Sequence, residues 1–482
     1  MIVMKFGGTS TQDAGAMKNV ANIVRSRLSS QPVVVISAIA QATNQLERAG
    51  TLAAEGRENE ARDLLLRLFN RHYGIVDELI KDRQRHLELR KAISSSLSEL
   101  DAIVKGVAIL RELTPRTLDH IYSFGERLSS LIVSYVFLEN GIQAEWLDTK
   151  DFMVTDANFT RALPMMESVR EKLLPLVRPS VQQGNVPVTQ GFIGVTELGD
   201  RTTMGRESSD FSAAVIGAAL DADDVQIWTD VDGVLTGDPR VVEKPRKVRV
   251  LTFEEAYELS FFGAKVLHPN TMLPALEKNI PIHVFNSRRP DLAGTLITSQ
   301  PPNGTSVVKS VASRSGMTLM NVKPRKRYGP FIFWEHIFNV LTKHDATPRI
   351  STSSEYNLSL VLDSRSDLPS IAHELESIAN VEMVGGMGIV SVVGTRIREL
   401  SGVVRDVFSS VADLGVVTIS YGASLSNLSF VIDESKLADA VKRLHAVFFE
   451  AESDDETFEV LPTAPDAAES AAGYRGRDTL EA

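Results

Sequence analysis

Cysteine is absent from the 482-residue chain. That removes disulfides and thiolate metal centres, and it fits a reducing compartment, with the cytoplasm as the expectation. Long apolar runs are also missing. No stretch approaches the roughly 18 uncharged apolar residues of a membrane-crossing helix, so no membrane partner is expected. No basic leader precedes an apolar core, because Met1 already opens a strand-like run, and no signal peptide is expected. An excess of positive charge is absent too. The formal net charge is −11, yet from Ala451 to Ala482 nine acidic residues stand against two basic ones. Most of the excess therefore sits in a tail rich in Ala, Pro, Ser and Gly, over 451–482, which reads as a disordered, solvated end. An acidic chain without a basic stripe excludes nucleic acid as the main ligand. The GxxxxGK[ST] phosphate loop, the HExxH zinc motif and any nucleophile–base pair are missing as well, and no metal-ligand cluster appears.

What is present is an ordinary globular composition, 43% hydrophobic and 23% charged, in a chain long enough for two or three domains. Strand-like runs at 1–6, 32–38, 185–188, 225–228 and 282–284 alternate with helical patterns, which predicts a mainly parallel sheet covered by helices. The charged, Leu- and Ala-patterned stretch from about 42 to 115 reads as two or three helices. Ser299-Gln300-Pro301-Pro302-Asn303-Gly304-Thr305-Ser306 reads as a linker. Beyond it the chain repeats itself: Asn357-Leu358-Ser359-Leu360-Val361-Leu362-Asp363 returns 70 residues later as Asn427-Leu428-Ser429-Phe430-Val431-Ile432-Asp433. With helices expected at 331–344, 368–378, 403–414 and 436–449, this predicts two βαββαβ modules.

Five stretches carry candidate chemistry. Lys5-Phe6-Gly7-Gly8-Thr9-Ser10 ends a strand on two glycines before a helical run from Asp13, which would aim backbone N–H groups and a helix dipole at an anion; a plain turn is the competing reading. Arg206-Glu207-Ser208-Ser209-Asp210 precedes an apolar helix expected at 211–220. The serines or Asp210 would cap that helix, or Arg206 would grip a carboxylate. Glu126, in Phe124-Gly125-Glu126-Arg127, reads either as a first-turn acid or as the binder of an amino acid's ammonium. Thr229 and Asp230 lie at the end of a strand, where open α/β sheets hold ligands, and Asp238 with Arg240 follows in turn-rich sequence. Lys265 and His268 fall in Phe262-Gly263-Ala264-Lys265-Val266-Leu267-His268-Pro269, where a solvated lysine and a structural histidine are the bland readings. Lysines, an arginine, glycine loops and scattered carboxylates suit phosphoryl transfer by positioning and charge neutralisation.

These five stretches, in order, resemble the signature motifs of aspartate kinases in the amino-acid kinase family, and the paired modules look like that family's tandem ACT domains. The resemblance covers residues 1 to about 450. It implies a three-layer α/β/α sandwich over 1–298, a linker over 299–306, and ferredoxin-like βαββαβ ACT domains. The first ACT domain would span 307–380, completed by about 425–450, with the second inserted over 381–424. It implies transfer of the γ-phosphoryl of ATP, with Mg²⁺, to the β-carboxylate of L-aspartate, the first step towards lysine, threonine and methionine. Lys5, Asp210 and Lys265 would be catalytic; Thr43, Glu126, Arg206 and Ser209 would bind aspartate; Gly7, Gly8, Ser10, Thr229, Asp230, Asp238, Arg240 and Lys265 would bind ATP. A homodimer or higher homo-oligomer is expected. A related kinase with another carboxylate substrate, and an amino-acid sensor with weak catalysis, are the competing functions.

Two departures from the pattern stand out. The family usually has two glycines where this chain has Glu207 and Ser208, which predicts weaker aspartate binding. Effector-site candidates are Tyr328, Gly329, Arg349, Ser351, Ser354 and Glu355. Lysine-sensitive relatives carry an acidic residue just before this serine-rich segment, where the present chain has Pro348-Arg349. Together with Lys323-Pro324-Arg325-Lys326-Arg327 this makes a poor site for a cationic effector.

Overall fold

The computed structural model describes residues 1–205, 208–264, 267, 269–300, 307–326, 330–354, 357–450 and 457–460. They fall into two compact units, Met1–Gly233 with Asn270–Ser299, and Val234–Pro269 with the chain from Gln300 onward. This division sets residues 234–269, which fall inside the expected catalytic domain over 1–298, with the C-terminal unit. Residues 234–269 go with the C-terminal unit because their bonding partners lie there: Thr236 pairs with His445, Glu255 with Thr395, and Glu258 with Asn427.

In the first unit, short runs of apolar residues buried on both faces form a parallel sheet, as such runs must when helices cover both sides. Its strands lie in the order Thr295–Thr298, Ile282–Asn286, Asp224–Thr229, Ile2–Phe6, Pro32–Ile36, Val186–Gln190, Ala144–Trp146, with only Thr295–Thr298 antiparallel to its neighbour. Alternation along Ile2–Phe6 decides what each residue meets. Met4 and Phe6 face the core built with the Ala14–Arg25 and Pro115–Glu139 helices, where Phe6, Trp228 and Phe285 stack with centroids 5.9 and 4.7 Å apart. Val3 faces the opposite layer, where Gly217 of the Ser209–Leu220 helix comes so close that an added Cβ would sit 2.6 Å from Val225. Lys5 shares Val3's face. The expected helical region resolves into Ala42–Ala54, Glu58–Leu79 and Arg83–Leu110. A small sheet of Val154–Thr155, Ile193–Thr196 and Arg201–Thr203 stands beside the main one.

The second unit carries a six-stranded antiparallel sheet in the order Ile350–Ser354, Asn357–Asp363, Val308–Pro324, Ala379–Gly394, Asn427–Asp433, Thr418–Tyr421. The repeat is real: Asn357–Asp363 and Asn427–Asp433 hold equivalent places, each between a long strand and a short edge strand. The expected insertion is inverted, however. Residues 317–324 pair with both 358–363 and 379–387, which closes a contiguous module with its own core of Met320, Phe333, Ile337, Leu360, Ile371 and Leu375. Residues 308–314 instead pair with 389–394 and supply the missing edge of the other module. The contiguous module is thus inserted into the one that begins upstream of it. The two long strands change module near Gly316 and Gly386, both at positive φ, where the register shifts.

Residues 301–306 of the expected 299–306 linker lie outside the described residues, as does most of the acidic tail. One part of the tail does not fit the disorder expectation. Phe458–Val460 forms a strand antiparallel to Arg246–Val248, and Glu459 reaches Lys247, whose side chain is 1% exposed, at 2.9 Å. No helix among the described residues is long and apolar enough to cross a membrane.

Candidate active site

The expected residues of the first unit gather at the C-terminal ends of the parallel strands. Lys5, nearly buried, places Nζ 2.5 Å from the Asp210 carboxylate, and their side chains are 11% and 16% exposed. Strand alternation puts Lys5 on the face that the Ser209–Leu220 helix covers, so the pair follows from fold geometry. The capping reading of this loop falls here. Ser208 holds the N-cap position but its side chain makes no capping bond, and Asp210 is engaged with Lys5. The helix start is pressed against Gly191, where a Cβ would lie 2.7 Å from that of Ser209.

After Phe6 the chain turns on Gly7 and Gly8. The Gly7 N–H donates to the Trp228 carbonyl, and the Gly8 carbonyl accepts from the Ala40 N–H. Gly8 has no room for a side chain, since a Cβ would stand 2.9 Å from the Ala38 carbonyl oxygen. One part of the anion-loop expectation is corrected. A 3₁₀ turn, Gly8–Thr11, intervenes before the Ala14–Arg25 helix, whose N-terminus is already capped by the Asp13 carboxylate. Ser10 donates to Ser287 Oγ at 2.8 Å, and Ser287 in turn donates to the Thr229 carbonyl. Ser287 was not singled out from the sequence; its place just past a strand end was the available signal.

Glu126 is not a first-turn acid. Its helix begins at Pro115, with Thr114 as N-cap, so Glu126 lies in the helix interior, 3% exposed. Gly125 lets the helix touch the loop after Pro32–Ile36, because a Cβ there would be 2.9 Å from that of Ala38. Glu126 Oε1 accepts the Ala38 N–H at 3.2 Å, while Oε2 is buried with no hydrogen-bond partner among the described residues. Burial raises its pKa from 4.5 to about 8, against the opposing pull of the Ala38 N–H and the Lys5 charge. A buried carboxyl with a spare oxygen can take a cation once it gives up its proton. Thr43 is half-buried in the first turn of the Ala42–Ala54 helix, a few residues beyond Ala38.

Thr229 ends its strand and donates to Asp230 at 3.3 Å. Asp238 and Arg240 belong to the second unit, where they pair with each other, Arg240 Nη2 lying 2.8 Å from the carboxylate. Arg206, Glu207, Lys265 and His268 lie outside the described residues, as do Tyr328, Gly329 and Glu355 of the effector set. Arg349 precedes the exposed Ser351 and Ser354 and holds its guanidinium 4.9 Å from the Phe261 ring. Among the described residues no group of three or more His, Cys, Asp or Glu side chains is placed to hold a metal ion.

The amino acid kinase family matches residues 1–286, and an ACT domain matches residues 390–448, within the module completed by 308–314. Lysine-sensitive aspartokinase 3 of Escherichia coli strain K12 is 33% identical over 459 residues, spanning 93% of this chain and 99% of that protein. The chloroplastic aspartokinase 1 of Arabidopsis thaliana is 34% identical over 464 residues, spanning 93% and 80%. The crystal structure of E. coli aspartokinase III with aspartate and ADP, in its R-state, superposes with a TM-score of 0.82 at 33% identity, covering 93% of this chain and 100% of that one. The same enzyme with lysine and aspartate, in its T-state, gives 0.78.

Proposed function

The chain belongs to the aspartate kinases of the amino acid kinase family, and on that premise we propose how its own residues divide the transfer of the ATP γ-phosphoryl to the β-carboxylate of L-aspartate. The observation that carries the assignment of roles is the nearly buried Lys5–Asp210 pair at the strand ends, set beside the glycine turn. Asp210 holds Lys5 extended towards the acceptor, where its charge meets the negative charge that builds up on the transferred group. Lys265 adds a second cation. The acceptor carboxylate is ionised near neutral pH, so no general base is required. Glu126 receives the aspartate ammonium on its spare oxygen, which converts a costly buried acid into an ion pair. Arg206 holds the aspartate carboxylate, and Ser209 and Thr43 also bind the substrate. Gly7, Gly8 and Ser10 line the phosphates, and Thr229, Asp230, Asp238 and Arg240 serve the nucleotide. Mg²⁺ arrives as part of MgATP.

The regulatory modules supply allosteric control, the protein works in the cytoplasm, and it assembles as a homodimer or higher homo-oligomer. A hydroxamate assay with ATP and L-aspartate tests the roles. Lys5→Met should lower kcat by about a thousandfold, the scale lost with one preorganised charge-stabilising group, with little change in the KM for aspartate. Unchanged turnover in that variant would remove Lys5 from the mechanism.

A further inference from the structure

Two neighbouring parallel strands, Ile2–Phe6 and Pro32–Ile36, each lead into a loop that carries site residues. The first loop holds Gly7, Gly8 and Ser10. The second holds Ala38, whose N–H meets Glu126, and leads into Thr43. The loops already touch: the Ser37 N–H donates to the Phe6 carbonyl and the Ala40 N–H to the Gly8 carbonyl, both at 3.1 Å. Farther along, one side chain joins them. Arg71 of the Glu58–Leu79 helix donates from Nη1 to the Ala40 carbonyl and from Nη2 to the Gln12 carbonyl, each at 2.6 Å. Gln12 closes the Gly8–Thr11 turn. Ala40 precedes Gln41, whose φ of 71° is a left-handed conformation that a glutamine keeps only when its surroundings impose it. Leu65, Leu68, Phe69 and Ile75 anchor the same helix in the core, so the guanidinium hangs from a rigid element. Its planar fork presents N–H groups to both carbonyls at once, and its charge strengthens each bond.

We propose that Arg71 is a positioning residue that holds the two loops at one separation and thereby aligns the phosphoryl donor with its carboxylate acceptor. The inference rests on the roles assigned to Gly7, Gly8 and Ser10 at the phosphates and to Thr43 and Glu126 at aspartate. Each substrate binds beside its own loop, so loosening the tie leaves both affinities nearly intact. It does spoil the approach of the reacting atoms, and a misplacement of about 1 Å lowers a rate about a hundredfold. A merely structural arginine would affect stability without separating turnover from binding in this way. Lysine is only a partial substitute, since it keeps the charge and loses the fork.

Steady-state kinetics of the full-length enzyme provides the test, with Arg71→Met, Arg71→Lys, Gly8→Ala and Glu126→Gln measured side by side. Arg71→Met keeps the aliphatic stem and removes the guanidinium. It should lower kcat about thirtyfold while the KM values for ATP and aspartate both stay within about threefold. Arg71→Lys should recover part of the lost turnover, again with little change in either KM. If Arg71→Met does not fold, the same split between kcat and KM is read from Arg71→Lys against the parent. Parental kcat in the Met variant, a loss carried by either KM, or full recovery with lysine would overturn the positioning role. If Gly8→Ala leaves the KM for ATP unchanged, or Glu126→Gln that for aspartate, the underlying loop assignments fail instead.

Discussion

At Glu126 a carboxyl group sits where water does not reach, and its charge state depends on what it faces. Its pKa in the folded chain, about 8, lies above the ordinary 4.5. Below about pH 4.5 folded and unfolded chains both carry the proton, and the stability this group contributes is fully present. As pH rises the unfolded chain ionises first, and the contribution is lost by the time pH passes about 8. The ligand-free enzyme should therefore show a urea midpoint that falls between those values, and Glu126→Gln should flatten this part of the profile. An identical slope in the variant would mean that other groups produce it. Gly8 offers a second residue-scale outcome. An alanine Cβ 2.9 Å from the Ala38 carbonyl must push the turn away, at a cost of about 1–3 kcal/mol for such overpacking. Gly8→Ala should weaken ATP binding, read by isothermal titration, more than it weakens aspartate binding. Lys5, Gly7, Gly8, Glu126 and Asp210 were legible as a set because their residue types are those phosphoryl transfer needs. Ser287 and Arg71 were not, since a serine after a strand and an arginine in a helix carry no distinctive local pattern.

Among the elements, five of the parallel strands were expected within a residue or two of their place, because buried β-branched runs leave little choice, while the partly exposed edge strand Ala144–Trp146 was missed. The helix holding Glu126 was started too late. Thr114 before Pro115 is an N-cap followed by proline at the first helical position, a start signal that was present and unused. The tail strand Phe458–Val460 had no such signal: three residues inside an acidic stretch gain order only by pairing with Arg246–Val248. That pairing makes Glu459 more than a solubilising charge. Lys247 is almost wholly enclosed, so Glu459→Gln strands a buried ammonium. Because Glu459 is itself 29% exposed, the loss should be near 1–2 kcal/mol rather than the larger figure of a fully buried pair. Urea unfolding would show it, and a variant as stable as the parent would make the ion pair incidental.

At the level of the whole molecule, the excursion 234–269, with Asp238, Arg240 and Lys265, belongs to the unit that also contains the ACT modules. Arg349, taken from the sequence as an effector-site residue, holds its cation over Phe261 of that same excursion, with Arg314 and Arg365 sharing one nearby acid, Asp363. Three cations around a single carboxylate disfavour a cationic ligand. L-Lysine should therefore fail to inhibit at millimolar concentration and should give no heat on titration; micromolar binding would show that the site accepts a cation despite its charge.

The sequence by itself determined the family, the parallel sheet and the repeat, because each rests on motif, residue type, spacing or periodicity. Tertiary structure alone decided which module is inserted in which, which unit owns residues 234–269, and that Asp119 meets Thr203. These are pairings between segments far apart in the chain, settled by strand register and burial, and no local pattern encodes them.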